Sequence, residues 1–362
     1  MTAHHVPTLN RLSPVSPHAV AGTSLAIVGA FDGTHIGASL IRAAAKLKIP
    51  AVALDMRESM RGNRFLRAAL WRLADRRPPR LNRFGAETIK LCRDARPAIL
   101  IATGAAPLTA PVVRSLRTTG TLCINYSTDD PWNSAMRSNW YLRALPEYDL
   151  VFTTRTSNIE CLRRIGCRDV RYLPFAYDDE LFRPPATETS AHSVDVLFVG
   201  GADRDRTAFM SEFAALCKGV ALVGGYWERC TATRAYALGH QPPEVVCALT
   251  AAAKVNLCLV RRANRDGHVM RSFEIAAIGG CMLVEDTAEH RELFGADGEA
   301  VRYFRTPADA AWCAWSLLDD AAERRRMSAA VCKLIHDGGH TYRDRLLTML
   351  AAAGPAGKRR PE

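Results

Sequence analysis

The sequence predicts an α/β protein made of two doubly wound parallel-sheet domains. Short apolar runs recur along the chain and alternate with segments whose apolar residues fall at helical spacing. The runs are continuous rather than alternating, as in strands covered on both faces. The rhythm breaks once after Pro174, at the polar, proline-bearing stretch FAYDDELFRPPATETSAHS, and then starts again. A chain of 362 residues is long for a single core, which also favours two domains.

In order, residues 1–22 carry three prolines and no periodicity and read as a lead-in. The first domain spans 23–176. It opens with the strand SLAIVG, the loop AFDGTHIG and a helix with Ile36, Leu40, Ile41, Ala44 and Leu47 on one face. Strands AVALD, AILIAT, TLCINY, LVFTT and VRYLP follow, with helices over 84–95 and 157–165 between them. Residues 57–83 depart from this rhythm: arginines are interleaved with Phe65, Leu66, Leu70 and Leu73, the pattern of an amphipathic helix. Its basic face suits a peripheral membrane contact or an acidic acceptor, or is a solvated surface. Residues 177–193 read as a linker. The second domain, 194–339, carries strands VDVLFVGG, VALVGG, KVNLCLV, CMLVE and VRYF, with helices over 206–217, 243–252, 270–278, 307–318 and 321–335. Helix 340–352 and a basic tail, 353–362, close the chain.

Composition narrows the function classes. Lys and Arg exceed Asp and Glu by 48 to 37, a formal charge of +11. The charge is spread, with neither aromatic-basic interleaving nor zinc-ligand spacing, so nucleic acid is not the expected partner. Eleven cysteines form no CxxC pair, and several fall inside apparent strands. Buried, reduced thiols are expected, and with them a cytoplasmic location. No apolar leader and no run of eighteen apolar residues is present.

The stretch RDGHVMRSFEIAAIGGCMLVE, residues 265–285, is the centre of the functional reading. It leaves a buried strand, passes a polar loop containing Asp266 and Gly267, enters a short helix carrying Arg271 and Glu274, and stops at Gly279-Gly280. Seven residues separate Asp266 from Glu274. In a parallel sheet such a loop and helix N-terminus open at the carboxyl edge of the strands, where anions and hydroxylated ligands bind. The second domain's first strand ends in Gly200-Gly201, followed by ADRDR; backbone N–H groups, a helix N-terminus and Arg204 or Arg206 together suit phosphate. In the first domain, Gly29, Gly33 and Gly37 do not match the dinucleotide fingerprint, so a nicotinamide or flavin enzyme is a weak alternative.

The pieces VLFVGG with Arg206, VGGYW, RSFEIAAIGGCMLVE, ELFG and HTYRDR resemble the glycosyltransferase-like domain of the CgeB spore-maturation family, akin to the retaining group 1 glycosyltransferases. NYSTDDPWN and LPFAYDDELFRP resemble the same proteins less sharply. The resemblance implies a GT-B fold, two Rossmann-like domains facing a cleft, and helix 340–352 packing back on the first domain. It implies transfer of a sugar, with retention and without metal or cofactor, from a nucleotide-diphosphate sugar to a glycan, lipid or protein acceptor.

Residue by residue, Glu274 matches the acid that contacts the nucleotide ribose, and Asp266 stands where a glutamate would meet the transferred sugar. A carboxylate accepts two hydrogen bonds from vicinal hydroxyls, so the ribose role also makes chemical sense. Arg271 and Arg206 would neutralise the diphosphate as leaving-group charge develops; a salt bridge to Glu274 is the plainer role for Arg271. Gly200, Gly201, Gly267 and the Gly33 loop would approach the donor, with His35 and Asp130 on the acceptor side. A catalytically silent nucleotide-sugar-binding protein is the first alternative, hinted at by Asp266, and a basic nucleic-acid-binding protein, resting on the net charge alone, is a weaker one.

Overall fold

A computed structural model describes residues 22–185 and 194–354. Residues 1–21 of the expected lead-in, the second half of the expected linker and residues 355–362 of the tail lie outside the described residues. The chain divides into two compact units. Of the described residues, 22–174 and 342–354 fall in one, and 175–185 and 194–341 in the other.

The first unit holds strands β1 (Leu25–Gly29), β2 (Ala51–Asp55), β3 (Ile99–Thr103), β4 (Leu122–Ser127), β5 (Leu150–Thr153) and β6 (Val170–Tyr172). They form one sheet in the order β2-β1-β3-β4-β5-β6, parallel throughout. The five residues of β1 are all buried, as a doubly covered strand requires. Helices α1 (Ile36–Lys46), α2 (Arg64–Leu73), α3 (Leu81–Ala95), α4 (Ala110–Thr118), α5 (Asn139–Ala144) and α6 (Ile159–Arg164) supply the crossovers. The core runs through Val28, Leu100, Ala102, Cys123, Val151, Phe84 and Val113. Helix α13 (Tyr342–Ala353) belongs to this unit and packs against α1. Within it, the buried Arg345 donates from Nε to the Pro174 carbonyl, which also accepts from the Tyr126 hydroxyl.

The second unit holds β7 (Val196–Val199), β8 (Val220–Val223), β9 (Ala237–Gly239), β10 (Val255–Cys258), β11 (Met282–Glu285) and β12 (Arg302–Phe304). Its parallel sheet runs β12-β11-β10-β7-β8-β9. From the other edge this is the 3-2-1-4-5-6 order, whose direction reverses between β7 and β10. Helices α7 (Arg204–Leu216), α8 (Pro243–Ala252), α9 (Met270–Ile278), α10 (Ala288–Phe294), α11 (Pro307–Asp319) and α12 (Ala321–Asp337) cover it. Gly279, at φ +86°, ends α9 in the left-handed conformation that a side chain would disfavour.

Polar composition made residues 175–183 look like an open connection. They are instead largely packed within the second unit: Phe175, Tyr177, Asp178 and Phe182 are buried, and the Tyr177 N–H donates to the His340 carbonyl.

Candidate functional site

The turning point of the second sheet brings together the loops after β7 and β10. Arg206, on the first turn of α7, ties them: Nη1 donates to the Gly201 carbonyl at 3.4 Å and Nη2 to the Leu259 carbonyl at 3.0 Å. Its side chain lies near the Phe198 ring, 5.6 Å from the centroid, and the residue is only 8% exposed. Burial lowers its pKa, the neighbouring Arg261 lowers it further, and Asp203 and Asp266 oppose the shift. The Nε atom is buried and carries no hydrogen-bond partner, so this guanidinium keeps donor capacity beyond its two carbonyls.

The N-terminus of α7 is not the open anion site that GGADRDR suggested. Asp203 caps it, its carboxylate accepting the Arg206 N–H at 2.9 Å. The Gly200 N–H donates to the Val223 carbonyl, and the Gly200 carbonyl accepts from Trp227 Nε1. Gly201 borders open space, since a Cβ there would meet nothing nearer than 3.8 Å. Arg204 is exposed.

Helix α9 differs at its entrance. Its N-cap is Val269, which offers no oxygen, and no acid lies in its first turn. Ser272 instead turns back to accept the Val269 N–H at 3.1 Å. Glu274 is 1% exposed. Its Oε2 lies 2.5 Å from Nη1 of Arg271, so the salt bridge is present, while Oε1 carries no hydrogen-bond partner. Burial raises the Glu274 pKa; Arg271 pulls it back and Asp178 adds to the rise. Arg271 keeps about a quarter of its side chain accessible and sits over the Phe182 ring at 5.5 Å.

Asp266, Arg206, Arg271 and Glu274 share one end of one sheet: Arg206 starts α7 after β7 and bonds the Leu259 carbonyl just past β10, and Asp266, Arg271 and Glu274 follow β10 in the loop and helix α9. Burial pushes the thiol of Cys258, the last residue of β10, up to about 12. Gly267 is there for lack of room: a Cβ would lie 2.5 Å from the Glu289 carboxyl carbon.

The loop into α9 is held by groups that motif reading passed over. His268 is buried; its Nε2 accepts the Phe175 N–H at 3.1 Å, so Nδ1 carries the proton and donates to Glu289 at 2.6 Å. His290 donates from Nδ1 to the Glu285 carbonyl and accepts at Nε2 from the Ser272 hydroxyl. Burial lowers its pKa to about 4, which keeps it neutral and able to accept. Glu285 accepts the Val260 N–H at 3.0 Å, fixing the loop at its start. Histidines and acids scattered over 268–290 gave no spacing signal; only the topology gathers them.

The first-unit candidates stand in the other body. Gly33 has φ +48° and open space around it, whereas Gly29 and Gly37 make the close contact: a Cβ on Gly37 would lie 2.6 Å from the Ala30 carbonyl oxygen. His35 is 60% exposed at the side chain and lies 3.4 Å from Asp32, which pairs with Arg57. Asp130 is buried and its Oδ1 accepts the Trp132 N–H, as in a turn, while the Trp132 ring packs on the core.

Residues 206–351, from the first turn of α7 to near the end of α13, match a family model described as glycosyl transferase-like. No curated protein matches the sequence significantly. Sucrose-phosphate synthase from Thermosynechococcus elongatus has a similar structure, with a TM-score of 0.68 at 13% identity over 91% of this chain and 98% of that one. The fold is that of the GT-B glycosyltransferases. Anabaena HepE, solved with UDP-glucose, superposes at a TM-score of 0.63 and 11% identity over 91% of this chain and 98% of its own. For α,α-trehalose 6-phosphate synthase from Burkholderia multivorans the TM-score is 0.59 and the identity 11%, over 91% and 99%. Among the described residues no helix is long and apolar enough to cross a membrane.

Proposed function

We propose that this protein is a GT-B glycosyltransferase that takes a hexose from a nucleotide-diphosphate sugar, with retention of configuration. The observation that carries the reading is Glu274, a buried carboxylate with one unpartnered oxygen, paired with Arg271 on α9 beside the turning point of the sheet. A ribose diol offers the two donors such a carboxylate lacks. Arg206 and Arg271 supply positive charge for the diphosphate, charge that counts for more once water is displaced, and the reaction then needs no metal. The α9 entrance, uncapped by an acid, points donors the same way. The glycosyl transferase-like match over 206–351 and the UDP-glucose bound by HepE agree with this assignment. Kinship with the CgeB branch rests on RSFEIAAIGGCMLVE and HTYRDR, and a cytosolic setting on the eleven free cysteines.

One substitution favours a second reading, a nucleotide-sugar-binding protein without turnover. Asp266 is one methylene shorter than the glutamate the resemblance calls for, and its charge is engaged with Arg206. A thermal-shift screen over UDP-, GDP-, ADP- and TDP-sugars separates the possibilities when followed by measurement of nucleoside diphosphate release. Ligand at about 100 times its dissociation constant stabilises by roughly 2.7 kcal/mol. Stabilisation with release supports the transferase, stabilisation with no release under any acceptor supports the silent binder, and no stabilisation by any nucleotide rejects both.

A further inference from the structure

Helix α2 is a ten-residue helix with no buried residue. Phe65 is 73% exposed and Leu73 87%, with Leu66 and Trp71 exposed as well. At 100° per residue, Phe65, Leu66, Ala69, Leu70 and Leu73 form one continuous stripe about 15 Å long, and Arg67 and Arg72 flank it on either side. Arg64 lies on the opposite face. A surface helix ordinarily turns such a stripe to the core; among the described residues this one stays exposed.

The helix is nevertheless held firmly at both ends. The Arg80 N–H donates to the Ser59 carbonyl, closing the base of the excursion. Beyond the helix, Asp75 and Arg76 both adopt positive φ. The Arg76 guanidinium donates to the carbonyls of Ser134, Ala135 and Arg137, while the Asp75 carboxylate accepts the N–H groups of Asn139 and Trp140. A frayed loop would not be presented in this way.

We propose that α2 docks the protein onto an anionic lipid surface, its apolar stripe entering the interface and the flanking Arg67 and Arg72 meeting the headgroups. The charge selects this occupant. Residues 57–83 hold nine arginines and two acids, and α2 holds three arginines and no acid. The two acids are engaged locally, Glu58 with Arg61 and Asp75 with the backbone of α5. A second copy of the chain would bring the same positive flanks against these, which like-charge repulsion opposes; lipid phosphates complement them.

The test is flotation of the full chain with vesicles of phosphatidylcholine alone and of phosphatidylcholine mixed with phosphatidylglycerol. Binding is expected only to the anionic vesicles and should weaken with added salt. Phe65→Ser with Leu73→Ser should abolish it, and Arg67→Gln or Arg72→Gln should each lower the partition coefficient about fivefold. These side chains touch no core, so thermal unfolding of the variants should match the parent and exclude misfolding as the cause. Absence of binding to anionic vesicles, or equal binding by the double serine variant, would overturn the proposal. So would a dimer, seen by light scattering without lipid, that the double serine variant dissolves, since the face would then belong to a second copy.

Discussion

Glu274→Gln is the sharpest test of the donor site, because it keeps the size of the side chain and removes one acceptor. In the free protein Oε1 has no partner and Oε2 meets only Arg271, so both oxygens retain capacity for a ribose diol. A hydrogen bond to a charged group is worth about 1.5–3 kcal/mol. The glutamine, able to accept at one atom only, should therefore weaken nucleoside diphosphate binding about 10- to 150-fold. Calorimetry with a ribonucleotide and its 2′-deoxy analogue isolates the contact: the parent should discriminate between them, and the variant should have lost most of that discrimination. The pH dependence follows from the same burial. The Glu274 carboxyl is raised above the ordinary carboxylate range despite Arg271. Parental affinity should thus begin to fall, as pH is lowered, earlier than an ordinary carboxylate would dictate, and the glutamine variant should lack this fall. A folded Glu274→Gln protein with the parent's ribose to deoxyribose ratio would refute the ribose assignment.

Other outcomes follow from the same geometry. Arg271→Ala should lower turnover more than donor affinity, because the charge it meets grows as the glycosidic bond breaks; equal losses for a nucleoside and a nucleotide-sugar in binding assays would return it to a structural role. Arg206→Ala should lower the unfolding temperature as well, since it also frees the Gly201 and Leu259 carbonyls that hold two strand ends together. His290, lowered from 6.5 to about 4, contributes stability that is full above pH 6.5 and lost as pH falls toward 4, by about 3 kcal/mol. Urea unfolding at a series of pH values should show this slope, and His290→Gln should remove it. Gly37→Ala should destabilise the β1–α1 junction strongly, while Gly33→Ala, strained only through its φ, should cost about 1 kcal/mol; comparable losses at both positions in thermal unfolding would contradict the contact assigned to Gly37.

Much of the fold was legible because continuous apolar strands and glycine stops are local signals: α9 spans the Met270–Ile278 read from its place between two strands and the Gly279-Gly280 stop. Short elements were not. Helices α5 and α10 and strand β9 carry too few turns or residues for periodicity to speak, and they form because neighbours cover them. The polar composition of 175–183 concealed a segment whose Phe182 lies under Arg271, since aromatic anchors spaced among Asp and Pro look like a linker until the partner surface is known. In the candidate site, Arg271 and Glu274 could be named from the strand-loop-helix pattern of 265–285, and Arg206 from the separate glycine-ended strand and ADRDR turn. His268 and Glu289 could not, because 21 positions separate them in sequence and only the crossover from α9 through β11 to α10 brings them within 2.6 Å.

That network bears on where positive potential gathers. In a dinucleotide-binding sheet the first βα turn receives the pyrophosphate at its helix N-terminus. Here part of that turn is already taken: Asp203 puts a carboxylate on the end of α7, and the Gly200 N–H is spent on Val223. The opposite side of the turning point has been left open in exchange. Val269 caps α9 without an oxygen, no acid lies in its first turn, Gly267 lets the loop pass against Glu289, and His268 and Ser272 fix the loop through buried contacts. Arg206 reaches across from α7 to the Leu259 carbonyl, so positive charge of the α7 side is delivered to the α9 side. On the proposed assignment, an anion entering at the carboxyl edge would meet α9, Arg206 and Arg271 together, and a hydroxylated group attached to it would be the partner of Glu274, one turn further into the same helix.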